Sequence, residues 1–511
     1  MVAASGIDVL VVGAGPTGLV LALWLTRLGV RVRIIDKAAA PGTTSRAVAV
    51  HARTLEFYDQ IGLADAVVAL GWKALAANVW VGGTRKARAV FGEMGAGLSP
   101  FPYPLLFTQD EHERLLIERL AECGLHVERQ HELVGFDQSA EGVRARVRDA
   151  RGSEEWCEAS YLAGCDGSHS AVRPGLGIGF PGGTYDHLFY VADVVGSGPT
   201  MDGEIHVDLE GTDFLAVFPL KGRGRARLVG IVRESAASNH DLSWSDISRA
   251  VLDQMHIAVD QVNWFSTYHV HHRVAAHFRH GRAFLAGDAA HVHSPVGGQG
   301  MNTGIGDAVN LAWKLAAVVH QRMHPSVLDS YEPERIAFAR RLVETTDRAF
   351  TSVTSRSALA RFVRLNLVPA VLPRLVAFPA VRRMMFRTVS QTAINYRGSS
   401  LSTGRAGDVH GGDRLPWVKA DAAGDNFAPL KSLDWQVHVY GEGTPALQAL
   451  CSQRQLALHV FPWRPEIAAT GLQRDAIYLV RPDGYVALAD VGGRPEAVAA
   501  YFAARAHPTS H

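Results

Sequence analysis

The chain has 511 residues, and 51 Lys and Arg against 50 Asp and Glu leave a formal charge of +1. That balance provides neither the broad basic surface of a nucleic-acid binder nor an acidic tail. Apolar residues at 47 % and charged residues at 20 % exclude a disordered or fibrous chain, and the length suits about two to four domains.

Residues 7–12 form a short β-branched run, and Gly13-Ala-Gly15-Pro-Thr-Gly18 leads into 19–28, whose apolar residues suit a buried helix. A second strand over 30–35 ends in Asp36. This is a βαβ unit with a G-x-G-x-x-G fingerprint between strand and helix. There the glycines let the backbone turn tightly and approach a pyrophosphate at the positive end of the helix. Asp36 would hydrogen-bond an adenosine ribose and repel a 2′-phosphate, which points to FAD or NAD at this locus. Gly177-Ile-Gly179-Phe-Pro-Gly182 repeats the spacing but has no strand before it and a Pro where a helix should start, so it reads as a chance match.

From 175 to 280 the pattern becomes strand-rich, with candidates at 188–195, 204–209, 214–218 and 226–232 separated by Gly-containing turns. An antiparallel sheet forming a second domain is expected. A buried strand at 282–286 ends in Gly287-Asp288, and 303–320 follows as a helix, so the first domain resumes after the insertion. Residues 325–398 read as helical with Pro punctuation, 398–412 as a Gly/Ser-rich linker, and the last hundred residues as a small α/β domain.

The four cysteines at 123, 157, 165 and 451 form no C-x-x-C pair, so neither a disulfide framework nor a zinc site is expected, and a reducing, cytoplasmic setting fits. The N-terminus runs straight into the nucleotide-binding motif without a basic leader, and no stretch reaches about 20 uninterrupted apolar residues, so no signal or membrane span is expected. His269, His271 and His272 have no acid or Cys at ligand spacing and are not read as a metal site.

Two further segments distinguish between dinucleotides. Gly287-Asp288 places a carboxylate just after a buried strand, where it can bind the ribityl hydroxyls of a flavin. Pro295-Val-Gly297-Gly298-Gln-Gly300-Met301-Asn302 then feeds a helix N-terminus. Its glycines let backbone N–H groups approach the flavin pyrimidine, and the helix dipole stabilises negative charge there.

With Cys165-Asp166-Gly167 through Arg173 as a third signature, the chain resembles the single-component FAD-dependent aromatic hydroxylases over about residues 7–400. The resemblance implies an α/β fold: a Rossmann-like FAD-binding domain from 1–174 and 281–398, including a helical segment at 325–398, and an inserted antiparallel β-sheet substrate domain at 175–280. The segment 399–511, carrying Gly411-Gly-Asp-Arg-Leu-Pro416 and Leu479-Val-Arg-Pro-Asp-Gly-Tyr485, resembles the thioredoxin-like appendage of the phenol-hydroxylase and aromatic-polyketide-hydroxylase branch. Lacking C-x-x-C, it is expected to pack or to mediate dimer contact, in a monomer or homodimer.

The same resemblance assigns FAD contacts to Gly13, Gly15, Pro16, Thr17 and Gly18, to Asp36, Lys37, Arg46 and Gln109, and to Gly287, Asp288, Pro295, Gly298 and Gly300. It places Met301 and Asn302 at the isoalloxazine and gives Asp166 and Arg173 a part in both FAD and NAD(P)H docking. FAD would be held tightly and without a covalent bond, NADPH or NADH would dock transiently on the flavin domain, and O2 would be captured as a flavin hydroperoxide. The distal oxygen would then pass to a phenolic or polycyclic aromatic substrate of polyketide or xenobiotic type. Epoxidation and Baeyer–Villiger insertion share the scaffold, and a non-catalytic flavin- or ligand-binding protein is the rival from another class. Val48 stands where simple phenol hydroxylases carry an active-site Asp, which leaves no certain base. His51 and Tyr268 are candidates beside the alternative that both are packing residues. Val48, Phe214, Phe218 and Pro295 are expected at the substrate pocket, with Trp264 another aromatic candidate.

Overall fold

The computed structural model describes residues 6–42, 47–208, 214–232, 242–294, 296–354, 377–419 and 424–505, with 357, 362–367, 371, 374 and 375 between them. Arg46 and Pro295 lie outside the described residues. Among those described, three larger sheets carry the fold.

The first is six-stranded, in the order 279–280, Ala283–Leu285, Tyr161–Gly164, Val9–Val12, Val32–Asp36, 128–129. Its inner strands run parallel, Val9 beside both Tyr161 and Val32. Helix Pro16–Arg27 opens with Pro at its first turn, where a missing N–H costs nothing, and every side chain from Leu19 to Leu25 is buried. It packs against the long helix Gln299–Val319, which begins earlier than the 303 expected because its first turn absorbs part of the glycine loop.

The second sheet has eight strands and is larger than the 175–280 segment. Its spine is the antiparallel pair Gly182–Ser197 and Ala258–Val274. Beyond Arg225–Ile231, Leu215–Pro219 and Ile205–Asp208 the sheet continues into a hairpin, Ala76–Val81 and Thr84–Val90, and Ala77 pairs in parallel with Ile205. Two of its strands therefore come from within the 1–174 segment. Cross-strand partners share a face, so the face holding Val191, Asp193, Arg227 and Trp264 also holds Ala77, Val79, Ala87, Ala89, Ala216 and Phe218. The opposite face carries Tyr190, Ala192, Leu215 and Leu228 and is covered by Arg249–Gln254, whose Val251 and Leu252 pack on it.

The third sheet, also six-stranded, lies in the C-terminal segment. Gln436–Tyr440 pairs in parallel with Ala457–Phe461 across helix Pro445–Gln453, and antiparallel with Ile477–Val480, which forms a hairpin with Val486–Asp490 before helix Pro495–Ala503.

A buried charge network joins this segment to the rest. Glu334 accepts from Arg481 at 2.9 and 3.0 Å, from Lys314 at 2.8 Å and from Asn310 at 2.7 Å. Arg481 also grips Asp483, which accepts from the Trp313 indole at 3.1 Å. Arg53 donates to the Asp483 carbonyl at 2.6 Å and to Glu56 at 2.8 Å. Burial alone would raise the Glu334 carboxyl and lower the Lys314 ammonium. The two cations around Glu334 instead hold its carboxyl far below the usual range, while burial still wins at Lys314 and pushes it down to about 8.

Among the described residues no helix is long and apolar enough to cross a membrane.

Candidate active site

Two glycines of the fingerprint loop serve its own packing, and one is left for a ligand. Gly13 has φ +101° and sits against the Cys165 carbonyl, and a Cβ on Gly18 would strike the Gly13 carbonyl, so both are required by the protein itself. Gly15 is different: a Cβ there meets nothing within 4 Å. It caps the helix with no side-chain hydrogen bond, leaving first-turn N–H groups pointing into an open cradle of the kind that takes a phosphate.

Asp36 ends its strand with Oδ2 accepting the Ala14 N–H at 2.7 Å and Oδ1 accepting the Ala38 N–H at 2.7 Å, so it fixes the loop and borders the cradle. Lys37 beside it is exposed. Gln109, at the start of helix Gln109–Glu122, donates to Glu113 at 2.8 Å.

Asp166 and Arg173 brace the second signature. Asp166 Oδ2 accepts from the Ala171 and Val172 N–H groups at 2.6 and 3.2 Å, while its buried Oδ1 has no hydrogen-bond partner. Arg173 donates to the Ala289 carbonyl at 2.9 Å and stacks over Phe180 at 3.9 Å. It thereby grips the turn that carries Asp288, whose side chain is exposed.

That turn is held from behind by a residue the sequence did not single out. Asp307 accepts the Gly287 N–H at 3.0 Å, His291 at 2.6 Å and Arg335 at 2.6 Å, all in full burial. Gly287 has φ +61°, and a Cβ on it would collide with Thr17. The signal was present in the sequence: Asp307, Asn310 and Lys314 recur at helical spacing in an otherwise apolar helix, a pattern that marks one polar seam.

The glycine loop reaches Gln299–Val319 through Gly297 and Gly298, with φ of 75° and 62°, and the helix starts without a side-chain cap. Gly300 opens its first turn, and Met301 packs partly buried against the core. The Asn302 side chain does not face the cleft. Its amide donates to Ala49 and Gly298 carbonyls at 2.8 and 2.9 Å, and its oxygen accepts from the His51 N–H and Thr54 hydroxyl. Every side-chain valence goes to tying the loop to residues 49–54, so only its backbone is left for a ligand.

His51 Nε2 lies 2.8 Å from the Gly297 carbonyl, which it meets as a donor, and burial lowers its pKa to about 4. A neutral imidazole committed to a carbonyl is a poor proton acceptor, so of the two readings the packing one is favoured, with His51 a brace under the glycine loop. Tyr268 likewise takes the packing alternative, against Phe189, Phe214 and Val270.

A cavity of about 260 Å³ opens beside His51. Its walls are Ala77, Val79, Ala87 and Ala89 of the edge hairpin, Ala52, Phe91, Met94, Tyr103, and Met385, Phe386 and Val389 of helix Pro379–Val389. None of Val48, Phe214 and Phe218 is among the lining residues. Val48 is buried with Ala49, Ala74 and Leu106, and Phe218 packs against that cluster. Trp264 faces Arg227, whose guanidinium is buried between Asp193 (2.7 and 2.8 Å) and the Ala47 carbonyl (3.1 Å). The middle of the sheet face is thus filled by its own side chains, which displaces the cavity toward the hairpin. Gly82-Gly83 between two alternating runs was the legible hairpin signal.

The FAD binding domain family matches residues 6–346. The 6-methylpretetramide 4-monooxygenase of Streptomyces rimosus is 38% identical over 438 residues, 82% of this chain and 76% of that protein. A flavin-dependent monooxygenase of Mycobacteroides abscessus is 32% identical over 505 residues, 95% and 98% of the two chains. The solved structure of OxyS anhydrotetracycline hydroxylase from Streptomyces rimosus superposes with a TM-score of 0.77 at 28% identity, covering 98% of this chain and 99% of that one. With the Gly287-Asp288 turn seated against Thr17 of the fingerprint, the chain belongs to the FAD-binding family of flavin-dependent aromatic monooxygenases.

Proposed function

We propose that this enzyme hydroxylates a phenolic or polycyclic aromatic compound, using NADPH or NADH and O2. The observation that carries the reading is the apolar cavity seated against His51, the residue that holds the Gly297 carbonyl. Its 260 Å³ lies just below the roughly 300–1,000 Å³ common for small-molecule sites, and Met94 and Met385 on its walls can adapt to a larger guest. Relatives named for multi-ring substrates, 6-methylpretetramide and anhydrotetracycline, support the polycyclic class.

The residues fit FAD. The cradle at Gly15, which a Cβ would fill, would take the pyrophosphate; Asp36 would bind the ribose, Asp288 the ribityl chain, and the first-turn N–H groups after Gly298 the pyrimidine edge. When bound, FAD supplies hydride acceptance from the nicotinamide and activation of O2. The protein's share is positional. Asp307 and Arg173 fix the turn bearing Asp288, His51 and Asn302 fix the glycine loop, and the apolar walls exclude water around the reacting ring. The helix dipole after Gly298 stabilises negative charge at the pyrimidine end.

The strand-helix-strand, hairpin and helix order of the C-terminal segment supports a thioredoxin-like domain, which we assign a packing role.

Stopped-flow reduction of the yellow protein by NADPH and by NADH, with and without phenols, naphthoquinones and multi-ring polyketides, tests the function. Acceleration by an aromatic ligand is expected; a rate indifferent to every ligand would refute it. Asp288→Ala should lose flavin on gel filtration, and full occupancy would remove that residue from the site.

A further inference from the structure

The cavity lies at one end of the sheet face because side-chain volume along the face is uneven. One row reads Ala89, Ala77, Ile205, Phe218, Arg227, Asp193 and Trp264, and the next Ala87, Val79, Val207, Ala216, Val229, Val191 and Ser266. The bulky members, Phe218 and the Arg227–Asp193 pair, are packed against residues 47–49 and cannot withdraw. At the hairpin the sheet supplies only methyl and isopropyl groups, and the space left over is the cavity. Its opposite wall, Met94 and Phe386 with Met385 against them, is packed on Ala52 and Ala89.

The polar members of the lining are largely committed. Arg88 donates through Nε (3.0 Å) and its terminal nitrogen to Glu204, which that contact holds at about 2; His51 is bonded to Gly297, and the Ser390 hydroxyl to Thr392. Discrimination in this space is therefore chiefly steric, the Tyr103 hydroxyl being the remaining polar group of the lining.

Resting on the aromatic-substrate reading above, we propose that Ala87 and Ala89 are specificity-determining residues: their small side chains admit a flat, uncharged multi-ring substrate, and a larger residue at either position restricts the enzyme to single-ring ligands. Both lie on the outermost strand of the sheet, so their side chains can grow without displacing a neighbouring strand.

The test measures dissociation constants of 1,8-dihydroxyanthraquinone and of phenol for the holoenzyme by flavin fluorescence, in wild type, Ala89→Phe and Ala87→Phe. The expected result is a loss of at least tenfold for the three-ring probe with phenol unchanged within about twofold. Ala89→Leu serves if the Phe variants fail to fold. Lys86→Phe places the same ring at an exposed position of the same strand, outside the cavity lining, and should leave both constants unchanged. Undiminished three-ring binding in the Ala87 and Ala89 variants overturns the proposal, as does an equal loss of both probes. Failure of the wild type to bind either probe is a different result and refutes the aromatic-substrate reading itself.

Discussion

The seam around Glu334 and the cavity beside His51 are built on opposite principles. In the seam Glu334, Lys314, Arg481 and Asp483 are withdrawn from water, and each finds a partner within 3.1 Å. In the cavity the walls are apolar and the few polar groups look elsewhere for bonds. Buried charges that satisfy one another contribute less to stability than to uniqueness, since any misdocked arrangement strands a charge. An apolar wall accepts many guests and discriminates by shape. The C-terminal segment is thus joined to the rest by mutually satisfied charges, while the cavity proposed for the substrate is left permissive.

The comparison breaks most visibly at Glu334. Glu334→Ala leaves Arg481 and Lys314 buried together, and urea unfolding should show a loss of about 3–5 kcal/mol. A loss under about 1 kcal/mol would mean that the seam is hydrated.

His51 stands where the polar frame meets the apolar cavity, and acid should expose it. Its folded pKa of about 4 lies below the ordinary 6.5, so between those values the unfolded chain binds a proton that the folded one does not. Its contribution is complete above about pH 6.5 and is lost as pH falls toward 4, by roughly 3 kcal/mol in all. Buried His112, His293 and His438 are depressed in the same direction, so wild type should lose more than this. The His51→Gln variant should show a shallower decline in urea midpoint from pH 7 to 4.5, and an identical decline would show that His51 is not neutral in the fold.

The smallest effect sharpens the contrast within the flavin cleft. Gly15→Val should cost the apoprotein under about 1 kcal/mol, because nothing stands within 4 Å of the new Cβ. FAD affinity should nevertheless fall at least tenfold, about 1.4 kcal/mol. Equilibrium dialysis of FAD alongside urea unfolding separates the two quantities.

These regions were unequally legible in sequence. The flavin frame could be read because its motif is compact in the chain: Gly18 is demanded by the Gly13 carbonyl five residues away and Asp36 follows at a fixed interval, although Gly13 itself is demanded by the distant Cys165 carbonyl. The cavity could not, because its walls converge from residues 51–52, 77–104 and 385–390, and which aromatics are spare depends on what else fills the sheet. Phe214 and Phe218 had the right chemistry for a pocket, yet Phe214 packs with Phe189 and Phe218 with Val48 and Ala49. The bracing role of the Asn302 side chain was illegible for a related reason: position beside a ligand loop says nothing about which way an amide turns.

The parallel pairing of Ala77 with Ile205 has a consequence for biogenesis. A ribosome releases the edge hairpin long before its partner strand, and a lone two-stranded ribbon is at best marginally stable in water. The nascent chain must hold that apolar-faced ribbon unpaired while the intervening residues emerge, a non-local closure of the kind that slows folding and invites aggregation. Chaperone demand during expression should therefore peak before residue 205 has cleared the exit tunnel, and arrested chains ending on either side of that point should differ sharply in solubility.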